Sequence, residues 1–439
     1  MGGVKMEFVF LLLFAVALFL CVAFDYSVIF ALLFGLVLFF CHGLFRGHSF
    51  SEMFSFTKTG LKKSEKIAVS MGLIGCLTAI WRASGTIAYI VFYASRFCIP
   101  SFMLLMTFWC CTIIAFLLGT AFGTAATIGT VCMTLGSSMG ISPFLVGGAV
   151  LSGCYLGDRC SPISSTSLLV ADITKTGIFA NLINIIKTSF VPFLIASIVY
   201  LVLGLISDVM GADPSTGQLF AENFNLSHIT VLPIAFMLIL SLFHFEVRKT
   251  LSVSIVLATI IAIFWQGVSI FKVPSILICG FEPENFELAR IIGGGGLISM
   301  WKVICIVIIA SCFSAIFEGT GFLDRVERLV QDMNQKTGNF LATLIVSILS
   351  GLIACNTAFC VMLTCQLCDT SYENKSTLAV NLENTAVAVI PLIPWSISCA
   401  LPLQTIGAPT TSIFFAVYLI AVPIYNLVRA RKQKETVNA

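Results

Sequence analysis

Apolar runs long enough to cross a bilayer recur from residue 6 to residue 428, and no other feature of the sequence limits the fold as much. A helix needs about 20 predominantly apolar residues to cross a bilayer core. Every backbone group in hydrocarbon must be satisfied within the protein, which leaves helices as the natural spanning form for runs of this length. Hydrophobic residues make up 58% of the chain and charged residues 10%, where a soluble domain carries roughly 25% charged residues. The spacing predicts an all-α polytopic membrane protein. Candidate spanning or half-spanning segments fall near residues 6–24, 27–45, 66–95, 99–118, 120–137, 143–157, 188–207, 229–245, 250–270, 299–318, 339–364, 376–403 and 411–428. Several are short or interrupted, so the expected number of transmembrane segments is about 10 to 13.

The first run imitates a signal peptide, but it has a single preceding lysine, lacks a convincing small-residue cleavage site, and is followed at once by another apolar run. It reads as a retained first helix. Basic residues cluster at Arg46, Lys58, Lys62, Lys63 and Lys66, at Arg248 and Lys249, at Arg325 and Arg328, and at Arg429, Arg431, Lys432 and Lys434. Loops rich in Lys and Arg stay in the cytoplasm, so these positions and the C-terminus are expected there. Acid-biased loops near Asp208, Asp213 and Glu222, and near Glu282, Glu284 and Glu287, are expected outside.

Three internal matches suggest that the chain repeats itself. AIWRASGT (79–86) resembles AIFEGTG (315–321), GTAFGTAA (119–126) resembles GLIACNTA (351–358), and the stretch around Pro162 corresponds to that around Pro391. Their offsets are 236, 232 and 229 residues, in the same order along the chain. Homologous halves with corresponding segments broken by Gly and Pro point to the binding site of a secondary transporter. SGCYLGDRCSPISSTS (152–167) and NLENTAVAVIPLIPWSIS (381–398) are segments of that kind. Each is expected to form a broken helix or re-entrant hairpin, because irregular backbone at membrane depth must be packed in protein or line a watery cavity. The expected organisation is an N-terminal pair of helices with a basic loop (1–65), a first transport repeat (66–207), a connecting segment with helices (208–298), a second repeat (299–428) and a basic tail (429–439).

Ionisable residues inside spans are costly and are candidates for function by default. They are Arg82, Asp158, Arg159, Glu318 and Glu383, with Asp172 at a boundary. Asp158 precedes Ser161, Ser164 and Thr166, and Glu383 precedes Asn384, with Asn356 in the matching part of the second half. Carboxylate, hydroxyl and amide oxygens are what a hard cation prefers, so these seven residues form the expected cation or substrate site, with Na+ at Asp158 and Glu383. The competing reading of Asp158 is a cap for the half helix after the break. Arg82, Glu318 and Arg159 are expected to tune or gate; Arg82 and Glu318 occupy equivalent positions in the repeat, where a structural ion pair is the plainer alternative. The histidines all fall at span ends or in loops, and the 17 cysteines lie mostly in apolar stretches as buried thiols. No GxSxG, HExxH or P-loop pattern is present, and GGGG at 293–296 lacks the strand and helix setting of a nucleotide loop. An enzyme, a nucleic-acid partner and a cofactor are therefore not expected. A channel is disfavoured by the broken, unequal halves.

Three stretches resemble the NhaC-type sodium/proton antiporter family of bacterial inner membranes: residues 119–167; GGGGLISMWKV with FEGTGFLD; and LENTAVAVIPLIPWSISCALPLQTIGAP. The resemblance implies cation-coupled antiport by alternating access, halves related by inverted repeats, Asp158 and Glu383 as family acids, Na+ and H+ as coupling ions, and a multi-pass protein of the bacterial plasma membrane. It departs from the family at three carboxylates, with Ser165 in place of the aspartate of PLSDTT, Asn384 in the EDSG stretch, and Phe359 or a neighbour after the asparagine of the second half. That loss keeps a second expectation in view, a Na+- or H+-coupled transporter of a small organic solute, an amino acid or carboxylate, on the same fold. The partners implied are the lipid bilayer and a small ion or solute; a homodimer stands beside the monomer as an open alternative.

Overall fold

The computed structural model describes residues 9, 10, 13, 14, 16, 17, 20, 21, 24, 26–97, 99–207, 214–243, 245–321, 338–354 and 356–438. These residues are mostly helical, and the one isolated β-bridge among them joins Phe281 and Gly294. The basic pair Arg325 and Arg328 and the acids Asp208 and Asp213 lie outside the described residues. In chain order the main helices are α1 (Val28–Phe45), α2 (Phe50–Ala83), α3 (Thr86–Phe97), α4 (Met103–Leu118), α5 (Ala121–Thr124), α6 (Thr130–Ser138), α7 (Pro143–Cys160), α8 (Ser165–Ile173), α9 (Ile178–Ile206), α10 (Leu232–Leu242) and α11 (Val247–Phe264). The second half follows as α12 (Trp301–Thr320), α13 (Asn339–Ala354), α14 (Thr357–Cys368), α15 (Lys375–Leu382), α16 (Ile397–Ile406) and α17 (Val417–Asn438). Among the described residues three helical stretches, Pro100–Leu118, Ile178–Ile206 and Leu297–Phe317, are long and apolar enough to cross a membrane; with two bent pairs counted as one span each the number is five. The bends are 63° between α2 and α3 and 53° between the helix containing Glu383 and α16. Ile29–Phe45, His228–Leu240 and Asn339–Leu352, within other segments of the expected set, are shorter apolar helices.

All three sequence matches fall at helix ends. α2 runs out at Ser84 and Gly85, and α12 at Gly321; both glycines adopt positive φ, 74° and 58°, a conformation that Gly reaches without Cβ strain. α4 ends at Gly119, after which the Thr120 side chain caps α5. In the second half Asn356 caps α14. The stretches around Pro162 and Pro391 each separate two helices. The stretches 103–173 and 339–406 thus show a similar order: a helix, a capped break, a second helix, then a helix with a second break.

Two π-helical turns interrupt the regular spacing, Ala125–Gly129 between α5 and α6 and Glu383–Val387 after α15. An inserted residue of this sort re-aims side chains and is common at functional sites. Close helix packing positions the first break. A Cβ on Gly153 would lie 2.5 Å from the Phe108 carbonyl oxygen, and one on Gly157 would overlap the Thr112 carbonyl, so α7 lies backbone-to-backbone on α4. Small residues that let helices approach in this way are the usual contact surface within membranes. Apolar side chains form one large core around α4, α6 and α7 and another around α12 to α15.

Candidate functional site

Pro162 fixes where α7 stops. The residue before a proline is pushed out of the helical region, and Ser161 is extended at φ −87° and ψ 131°. Asp158 and Arg159 consequently occupy the last turn of α7, not the first turn of the next helix. The cap of α8 is Ser164, whose hydroxyl oxygen accepts from the Thr166 and Ser167 amides at 3.2 and 3.4 Å. Its remaining hydrogen is left for the Asp158 carboxyl beside it. Asp158 is buried, and its Oδ1 has no partner among the described residues.

The other half supplies Glu383 and Asn384 from the π-helical turn after α15, both buried. Arg159 crosses to meet them. Its Nη2 donates to Asn384 Oδ1 at 2.7 Å, its Nη1 donates to the Tyr418 hydroxyl at 3.2 Å, and its Nε lies 3.8 Å from Glu383 Oε2. The pair is fully buried on both sides, yet no hydrogen bond closes it: Arg159 Nε and both Glu383 oxygens are unpartnered. A surrounding frame holds the guanidinium. Thr188 donates to Asn384 Oδ1 at 3.2 Å, and the Tyr418 hydroxyl donates to Ser189 Oγ at 3.0 Å. One turn before Asp158, the Tyr155 hydroxyl donates to the Ser398 carbonyl at 2.6 Å, and Ser398 Oγ meets Thr357 Oγ1 at 2.6 Å. These bonds tie α7 to the starts of α14 and α16, so the cluster sits where broken helices of both halves converge.

A polar cavity of about 790 Å³ ends on this cluster. Asn384 and Thr188 form part of its wall, with Asn184, Asn381 and Asn426, and its described lining carries Lys187, Arg429 and Arg431 but no carboxylate.

Of the residues expected at the site, Asp158, Ser161, Ser164, Glu383 and Asn384 lie around one buried point or its adjoining break. Other expected residues are committed elsewhere. Asn356 spends its amide on the break before α14, accepting from the Phe359 amide at 2.9 Å and donating to the Ala354 carbonyl at 3.2 Å. Thr166 lies in the first turn of α8. Arg82 closes α2 against the glycine tract, where its Nη1 donates to the carbonyls of Gly293 and Ile292; none of its described bonds is with Asp158 or Glu383. The side chain of Glu318 lies outside the described residues, so its pairing with Arg82 is not seen. Asp172 is exposed and pairs with Lys175 at 3.6 Å. The residues missed were Tyr155, Thr188, Ser189 and Tyr418. Tyr155 was accessible, standing three residues before Asp158 on the same helix face; the others carry no local signal. Among the described residues no group of three or more His, Cys, Asp or Glu side chains is placed to hold a metal ion, and Cys365 and Cys368 are free buried thiols.

The Na+/H+ antiporter family model matches residues 3–171 and 153–428, two stretches that overlap on the break after α7. The chain belongs to this family. It is 28% identical over 379 residues to the Na(+)/H(+) antiporter NhaC of Alkalihalophilus pseudofirmus, covering 84% of this chain and 82% of that protein. It is 24% identical to the malate-2H(+)/Na(+)-lactate antiporter of Bacillus subtilis, over 87% of this chain and 84% of the relative. It is likewise 24% identical to the arginine/ornithine antiporter ArcD of Halobacterium salinarum, over 86% and 80% of the two chains. Family and helical architecture agree on a multi-pass membrane protein of the secondary-transporter kind.

Proposed function

We propose that this protein is a cation-coupled antiporter exchanging Na+ for H+ by alternating access around the buried cluster of Asp158, Arg159 and Glu383. The observation that carries the proposal is the burial of two carboxylates with unpartnered oxygens where broken helices from both halves converge. Buried charges are retained at such cost only when paired or when they hold a ligand. Asp158 is the carboxylate that binds and releases the cation, with the Ser161 hydroxyl as a neutral oxygen and the Ser164 hydroxyl steadying the carboxyl; Glu383 is held partly by Arg159. Asn384 serves by orienting Arg159, while Thr166 and Asn356 support the breaks. Arg82 belongs to the supporting frame. The two halves are inverted relative to each other, and rocking of one against the other exposes the site to alternate sides. The cavity bearing Lys187, Arg429 and Arg431 opens to the cytoplasm by the positive-inside rule, which places the C-terminus there, in a bacterial plasma membrane.

Reconstitution into proteoliposomes tests this. Na+-driven proton efflux is expected from the unmodified protein and is expected to vanish in Asp158→Asn without loss of folded protein. An Asp158→Asn protein exchanging at the unmodified rate would refute the assignment.

The basic lining of the cavity favours one second reading. Three cations and no described carboxylate form an entrance that attracts anions, which suits an organic carboxylate or amino acid coupled to Na+ or H+, as the names of the malate/lactate and arginine/ornithine relatives imply for those proteins. Labelled-solute uptake under an imposed Na+ gradient separates the two: solute-dependent uptake without cation exchange in its absence supports the second.

A further inference from the structure

We infer that Arg159 sets the number of cations this site takes at one, and thereby makes the exchange electroneutral. The inference rests on the antiport reading above and goes beyond it by fixing the charge carried in each half of the cycle.

The cluster's charged side chains are buried, so their summed charge governs what the site takes up. Among the described residues the buried side chains of the Asp, Glu, His, Lys and Arg types are His42, Asp158, Arg159 and Glu383. His42 belongs to α1, in contact with Phe10, which leaves two acids and one base in the cluster. Arg82 is engaged by the carbonyls of the glycine tract, and Lys187 is exposed at the cavity. The formal charge of the cluster is therefore that of one carboxylate. Desolvation makes any net charge at that depth unfavourable, so the cluster is best satisfied by a single monovalent cation. A second cation would leave the fixed guanidinium uncompensated.

The geometry says which charge is fixed. Arg159 is held by Asn384 at 2.7 Å and Tyr418 at 3.2 Å, and those two are themselves held by Thr188 and Ser189. A guanidinium stays charged at any pH the cell meets. It cannot leave with the substrate, so it acts as a permanent internal cation beside Glu383. Asp158 has no such companion, and its Oδ1 is unpartnered. The transported cation, whether Na+ or H+, then balances the same single negative charge on both limbs. Each loaded form crosses the membrane neutral.

The experiment uses the full-length protein in proteoliposomes with internal and external K+ set to clamp the membrane potential through valinomycin. The unmodified protein is expected to exchange Na+ for protons at a rate indifferent to the imposed potential and first order in Na+. Arg159→Lys, which keeps the charge, is expected to behave alike. Arg159→Gln is expected either to become sensitive to potential or to require Na+ to the second order, since the cluster then carries two uncompensated carboxylates. Exchange by the unmodified protein that is accelerated by potential overturns the inference even if Arg159→Gln is inactive. So does an active Arg159→Gln that remains first order and indifferent to potential. Absence of any Na+-driven proton movement in the unmodified protein overturns instead the antiport reading on which the inference rests.

Discussion

The buried contact between Arg159 and Glu383 lends itself to a double-mutant cycle. Nε and Oε2 are 3.8 Å apart, and both side chains are fully buried. At an effective dielectric of about 20 two unit charges at that separation attract by about 4 kcal/mol. Removing one member of a buried pair costs about 3–5 kcal/mol, because the survivor is left charged without its counter-ion. Here the survivor after Glu383→Gln is an arginine that keeps its bonds to Asn384 and Tyr418, which puts the expected coupling at about 2–4 kcal/mol. The cycle comprises the unmodified protein, Glu383→Gln, Arg159→Met and the double variant, with unfolding followed by denaturant titration in mixed micelles. Losses of the Asn384 and Tyr418 bonds enter both Arg159 variants and cancel. The double variant is expected to be more stable than the sum of the single losses implies. A coupling below about 0.5 kcal/mol, the scatter of independent sites, would show that the two charges do not interact and would remove the basis for treating Glu383 as partly neutralised.

Three other substitutions separate frame from site. Gly157→Val should prevent α7 from seating on α4, since even a Cβ there overlaps the Thr112 carbonyl; a loss of about 1–3 kcal/mol or more is expected from overpacking, read as reduced folded yield and melting temperature, and an unshifted melting curve would contradict the close approach. Ser164→Ala removes the cap of α8 at a cost of about 1 kcal/mol and should raise the Na+ concentration for half-maximal exchange; a protein altered in stability alone would reduce Ser164 to a cap. Arg82→Gln gives up the bonds to Ile292 and Gly293 and should lower stability by about 1–3 kcal/mol while leaving half-saturation by Na+ unchanged, whereas a several-fold shift in half-saturation would return Arg82 to the ion path.

What could be read from the sequence was local. Gly and Pro at the breaks, the matched helix ends and the isolated acids Asp158 and Glu383 announce themselves because each violates a rule that lipid enforces on a single segment. Pro162 alone places Asp158 before the break, yet its capping role was the rival reading because Asp is a good cap wherever a helix restarts; Ser164 takes that role instead. Arg159 was harder. Its meaning depends on Glu383, 224 residues later, and on Tyr418 beyond that, so only the fold could show what it meets. Arg82 was no easier, since the carbonyls of Ile292 and Gly293 that accept from it lie some 210 residues later and nothing near Arg82 names them. Asn356 carries an amide that suits a cation, and the start of α14 just after it gives that oxygen a capping bond that the residue type alone does not announce.

The incomplete bonding of the cluster bears on how it works. Desolvated polar atoms without partners cost about 1–3 kcal/mol each and more when charged, and four of them, Asp158 Oδ1, Arg159 Nε and the two Glu383 oxygens, lie in this cluster. A structural ion pair selected for stability would close its hydrogen bonds, as Arg159 does toward Asn384 at 2.7 Å. Toward Glu383 it stands off at 3.8 Å. The arrangement therefore stabilises the carboxylate enough to tolerate burial but leaves its oxygens able to bind something else. A site that must load and unload a cation in every cycle requires that compromise, because a fully satisfied carboxylate would not bind and an unsupported one would not release.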